Sequence, residues 1–206
     1  MKEEKLQRLL KSLYSFDPFS AYPKEADFAI PELGKLAAEA GGEQVLRKVM
    51  ALYEETKGNK RFPYTASACA ETVYEAAASG ADLSFWEAYL QGLEDRFFIM
   101  ALVRSSLNGG LPGYVEKFLL HEETQTRRVA RDCIKAALQS GSSIEEHLPV
   151  VNEILAGSEG EAVFWAVHLL AKAQAMGQDI GAAHKGLELV AQGKGALAKK
   201  ARELLG

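Results

Sequence analysis

Long hydrophobic runs are missing from this sequence. No stretch approaches the roughly 18 apolar residues that cross a bilayer, so no membrane-spanning segment is expected. The start, Met1-Lys2-Glu3-Glu4-Lys5, is charged where a secretory signal carries its apolar core, and the expected location is the cytoplasm. Only two cysteines occur, Cys69 and Cys133, each at an apolar position of a helical pattern. They read as small buried hydrophobes rather than as a disulfide or metal framework. A basic surplus is also absent: 24 Lys and Arg stand against 28 Asp and Glu, a net charge of -4. Phosphate-backbone binding draws its affinity from cation-driven counterion release, so nucleic acid is disfavoured as a partner. Period-two alternation is scarce too, which argues against strands.

What is present is helical punctuation. Apolar residues make up 48% of the chain and charged residues 25%, enough for a continuous core. A Gly repeatedly closes a helical run and an aliphatic residue shortly afterwards opens the next: Gly42 with Val45, Gly80 with Leu83, Gly109/Gly110 with Leu111, Gly141 with Ile144 and Gly177 with Ile180. The aliphatic members lie 38, 28, 33 and 36 residues apart, the spacing of stacked helical hairpins. Helices are expected over about 3 to 14, 25 to 40, 43 to 57, 64 to 79, 83 to 93, 95 to 107, 112 to 122, 125 to 140, 144 to 156, 160 to 176, 180 to 192 and 195 to 205. Asp82, Ser84, Ser143 and Asp179 stand where N-caps are wanted. Short connections predict antiparallel neighbours. Between the first two helices, Tyr14, Phe16, Phe19 and Tyr22 surround Pro18 and Pro23. This aromatic connection either covers the first layer or forms an interface.

Aligning the second helices on their closing glycines gives columns: Cys69, Ala130 and Ala166; Val73, Ile134 and Leu170; Ala76, Ala137 and Ala173. Small and aliphatic residues in fixed layers are packing positions. The run Thr126-Arg127-Arg128-Val129-Ala130-Arg131-Asp132-Cys133-Ile134-Lys135-Ala136-Ala137-Leu138 resembles the second helix of a HEAT repeat, and residues 160–170 and 195–205 are looser matches. The likeness spans roughly residues 42 to 206. It departs from the family where the first-helix proline is missing or displaced (Pro112, Pro149) and at the 28-residue interval, so armadillo-like and other α-solenoids stay open. The resemblance implies an all-α, right-handed α-α superhelix of about five helical hairpins behind an N-terminal capping helix. The whole chain is read as one domain, with 1–41 as the cap and 42–206 as the repeats.

Catalytic constellations are not found. His121-Glu122-Glu123-Thr124-Gln125 begins like a zinc-protease motif, but Gln125 replaces the second imidazole. His147, His168 and His184 are scattered along the chain without metal-ligand spacing, and no metal or cofactor is expected. Gly193-Lys194-Gly195-Ala196-Leu197-Ala198 mimics a dinucleotide fingerprint but follows a helix rather than a strand. Acidic neighbours such as Glu54/Glu55, Glu94/Asp95, Glu122/Glu123 and Glu145/Glu146 diverge on a helix and read as solvated faces. The aromatics Phe85, Trp86, Tyr89, Phe97 and Phe98 read as packing.

One stripe departs from the repeat. Arg127, Arg131 and Lys135 stand four apart on one helix, where the aligned residues are Val163, Val167 and Ala171 in the next layer and Ala66, Ala70 and Tyr74 in an earlier one. They either pair internally, with Glu122, Glu123 or Asp95, or line a groove for an acidic peptide or phosphate. The expected function is a non-enzymatic protein-interaction or scaffold module. Two alternatives follow from the resemblance: a nucleic-acid binder similar to DNA-glycosylase scaffolds of HEAT-like form, and a pigment or cofactor chaperone similar to bilin lyases.

Overall fold

The computed structural model describes residues 3–93, 95–157 and 160–206. The first two residues of the charged start and Glu94 of the Glu94/Asp95 pair lie outside them. Among the described residues all regular structure is helical, and no helix is long and apolar enough to cross a membrane. Backbone contacts divide the chain into two compact units, 1–114 and 115–206.

The first unit holds α1 (Glu3–Ser12), α2 (Glu25–Ala38), α3 (Glu43–Thr56), α4 (Thr65–Ala78), α5 (Glu87–Leu90) and α6 (Arg96–Leu107). Consecutive helices pair as hairpins, and alternate helices touch as well, so α2, α4 and α6 form one row. In the other row Lys48 of α3 meets Glu3 at the start of α1, while Tyr14 just past α1 packs on Phe62 beyond the end of α3. Contacts in the same order along both helices mean that α1 and α3 run in the same direction, as alternate helices of stacked hairpins do. At Gly34 a Cβ atom would lie 2.7 Å from that of Glu75, so α2 and α4 approach each other backbone to backbone.

The second unit begins inside α7 (Tyr114–Leu119) and continues through α8 (Thr124–Gln139), α9 (Leu148–Ala156), α10 (Gly160–Ala175), α11 (His184–Ala191) and α12 (Ala196–Leu205). Again alternate helices touch: α8 with α10, α10 with α12, and α9 with α11.

The glycine punctuation has one structural meaning at four helix ends. Gly80, Gly109, Gly141 and Gly177 all adopt a positive φ, and each N–H donates to the carbonyl three residues back. The next residue donates five back: Ala81 to Ala76, Gly110 to Ser105, Ser142 to Ala137 and Gln178 to Ala173. This is the Schellman closure, which satisfies carbonyls that a helix end leaves open. Near the first expected stop the left-handed residue is Gly41, while Gly42 is right-handed and opens α3.

All nine column residues are buried. Counting back from the other two left-handed glycines extends the columns to Phe98, Leu102 and Ser105 on α6 and to Ile30, Gly34 and Ala37 on α2, which are also buried. Cys69 and Cys133 are buried and free, and burial pushes the Cys69 thiol up to about 12.

Three helices begin later than the sequence pattern predicts. Leu83, Ile144 and Ile180 are buried, but they precede a 3₁₀ turn (Ser84–Trp86, Glu145–His147, Gly181–Ala183) rather than opening an α-helix. The residues expected as N-caps hold those turns. Asp82 accepts from the Ser84 N–H at 2.8 Å, Ser143 from Glu145 at 3.2 Å and Asp179 from Gly181 at 2.8 Å. A side chain bonded two residues on favours a tight turn over continued α-helix.

The aromatic connection divides. Tyr14 packs edge-on to Phe62 with centroids 4.6 Å apart, and Ser15 accepts from the Ala26 N–H at the start of α2. Phe19 touches Tyr64 but is 81% exposed, and Tyr22 is nearly as exposed. The 85–98 aromatics divide too: Phe98 is fully buried, whereas Phe85 is exposed beneath the Arg47 guanidinium.

Candidate partner-binding groove

The turn that leads into α8 is built by its own side chains. His121 Nδ1 accepts from the Glu123 N–H at 3.1 Å, which leaves the ring proton on Nε2. The Thr126 hydroxyl donates to the Glu123 carboxylate. Arg127 then folds back over the turn, donating to the carbonyls of His121 (2.7 Å) and Glu122 (2.8 Å) and to the Thr124 hydroxyl (3.1 Å).

One helical turn on, Arg131 is buried, with 3% of its surface exposed. Its guanidinium lies 5.8 Å from the centre of the Trp165 ring, and its Nη1 is 3.9 Å from the Glu161 carboxylate. Glu161 also receives a two-pronged hydrogen bond from Arg128, at 2.9 and 2.7 Å, which holds its carboxyl below the usual range. Arg128 and Arg131 therefore join α8 to α10. Lys135 is exposed on the remaining turn of the stripe.

Thus the three cations singled out by the repeat have different surroundings. Arg127 braces a turn through carbonyl and hydroxyl oxygens, Arg131 is sandwiched between helices, and only Lys135 stands in solvent. The sequence reading missed Glu161 and Trp165, one in the first turn of α10 and the other a turn later. It also passed over Arg128, which the same glycine alignment places opposite Phe164.

Arg127 and Arg131 line a cavity of about 410 Å³. It is also lined by Leu119, Leu120 and His121 before α8, by Glu153 and Ile154 of α9, and by Gly157 and Ala162. Leu120 at its rim is 47% exposed. Elsewhere on α10, Phe164 is 55% exposed and stacks on His168 with ring centroids 4.3 Å apart. Both guanidinium groups are engaged by the fold, so what they bring to this partly apolar cavity is fixed positive charge in its wall, which suits an anionic side chain. Glu122 and Glu153 in the same walls oppose a polymer carrying a charge on every unit.

Among the described residues no three His, Cys, Asp or Glu side chains converge as a metal site. The Gly193–Gly195 string is a turn between α11 and α12, with Gly195 left-handed at the start of α12. No family model matches the chain, and no curated protein or solved structure is significantly similar to it. The likeness of residues 126–138 to a HEAT helix thus rests on those residues alone.

Proposed function

We propose that this chain is a non-enzymatic protein-interaction module, and that the groove framed by α7, α8, α9 and α10 receives an acidic segment of a partner protein. The observation that carries the reading is the cavity of about 410 Å³ with a buried Arg131 and a half-buried Arg127 in its wall and the exposed Leu120 at its rim. Arg is enriched at the few positions that dominate binding energy, and an apolar rim excludes water from such contacts. The finer architecture belongs to the same proposal: a HEAT-like, right-handed stack of hairpins working in the cytoplasm, where buried thiols stay reduced. Glu122 and Glu153 beside the arginines favour a peptide with spaced carboxylates over a nucleic-acid backbone.

A fluorescein-labelled Asp/Glu-rich peptide containing one Leu, titrated with the protein and read by anisotropy, tests this. Binding should weaken about tenfold or more, roughly 1.4 kcal/mol, in Arg127→Glu and in Leu120→Asp. Leu120 is exposed, so its replacement leaves the fold intact even if Arg127→Glu loosens the turn. Unchanged binding in Leu120→Asp would overturn the proposal. Tighter binding of a random DNA duplex with a steep salt dependence would transfer the site to nucleic acid.

A further inference from the structure

A second groove lies in the first unit, remote in sequence from the arginine stripe. It runs between α1 and α3 and encloses about 660 Å³, within the range of sites that bind organic ligands. Its apolar lining is the exposed Ala51 with the edges of Leu10 and Leu52, which show 8% and 9% of their surface, and Arg8, Lys11 and Lys48 stand along it. Lys48 is engaged by Glu3, and Tyr14 and Glu55 line the groove where α1 and α3 run out. Arg8 and Lys11 are exposed and carry no ion pair among the described residues.

We infer that this groove docks an acidic amphipathic helix of a partner protein. Charge complementarity identifies the occupant. Arg8 and Lys11 stand three apart on one helix, so their side chains project on the same face about 4.5 Å apart along the axis, a little under one turn. Acidic residues one turn apart on an occupant helix would meet both, while its apolar stripe covers Ala51, the edges of Leu10 and Leu52 and the aliphatic stems of Arg8 and Lys11. The extent agrees: the lining follows two turns of each helix, from Gln7 to Tyr14 and from Lys48 to Glu55, and an open slot of that length receives a helix by one face. An isolated phosphate would be better served by converging donors, and a fatty acid by an enclosed tunnel. This site is independent of the α8 groove.

The probe is a fluorescein-labelled peptide of about 18 residues, five helical turns, with Leu at i, i+3, i+4 and i+7 spacing and Glu flanking that stripe. Its control is a scrambled peptide of identical composition. The ordered peptide should bind at least tenfold more tightly than the scrambled one, and the double variant Arg8→Glu, Lys11→Glu should lose at least tenfold. Ala51→Lys separates docking from charge attraction: it adds a cation but fills the groove, so it should weaken binding, whereas attraction alone would strengthen it. Arg8, Lys11 and Ala51 are all exposed, and circular dichroism confirms that each variant folds. Arg127→Glu should leave this binding unchanged, which keeps the outcome separate from that of the α8 groove. Equal affinity for the scrambled peptide, tighter binding by Ala51→Lys, or displacement of the probe by decanoate or inorganic phosphate at equal concentration would overturn the inference.

Discussion

Gly34 shows how much one hydrogen can decide. A glycine inside a helix costs about 1 kcal/mol relative to alanine, so Gly34→Ala would stabilise an isolated α2. In the folded chain the new methyl would lie 2.7 Å from Glu75 Cβ and 2.8 Å from its carbonyl carbon, forcing α2 away from α4. Overpacking of this kind costs about 1–3 kcal/mol, so the variant should unfold at lower denaturant than the parent. Gly160→Ala, where nothing lies within 4 Å of the added carbon, should not. Charge acts at the same scale. Burial raises the carboxyl of Glu71 above its ordinary value of 4.5, the neighbouring Glu75 adds to the effect, and Arg96 partly opposes it. Because the folded state holds this proton more tightly than the unfolded chain, ionised Glu71 destabilises the fold above its folded pKa. That penalty fades as the pH falls from there toward 4.5. Glu71→Gln should therefore melt higher than the parent at pH 7, with the difference shrinking in melts recorded at successively lower pH.

At the level of elements, the second helix of each hairpin was the most legible part of the sequence. Its glycine stops, small-residue columns and helical spacing all report one local event, a helix closing against its neighbours. The first helices were harder to read because their starts depend on a competition that apolar spacing does not register. Asp82, Ser143 and Asp179 draw the backbone into 3₁₀ turns, and α5 consequently shrinks to Glu87–Leu90. Contacts between loops were equally hidden. The Gln178 side chain accepts from the Ile144 N–H at 3.0 Å and donates to the Ser142 carbonyl at 3.0 Å, clamping two punctuation loops 36 residues apart. Gln178→Ala should cost about 1–3 kcal/mol, since it leaves a part-buried N–H without its acceptor. Faster hydrogen exchange at the Ile144 amide is the specific sign. The candidate site was legible by the same logic and to the same extent. Contrast between layers singled out Arg127 and Arg131, but their surroundings arise from a turn carbonyl, Glu161 and Trp165, which no periodicity links to them.

Across the whole molecule, the same hairpin rule builds both units, while charge is distributed differently on each. The first places the exposed Arg8 and Lys11 along a groove between α1 and α3, and the second builds arginines into the wall of a cavity that the exposed Leu120 also lines. Both would suit the acidic protein segments proposed as their occupants, and neither arrangement needs a net basic chain. The net charge of -4 therefore agrees with local rather than overall attraction. The central claim, that the α8 groove is where a partner is held, is tested most directly by hydrogen–deuterium exchange with and without saturating Asp/Glu-rich peptide. The account predicts slower exchange in 119–131 and in the first turns of α10, lost in Leu120→Asp. Protection confined to other segments, or none at saturation, would contradict it.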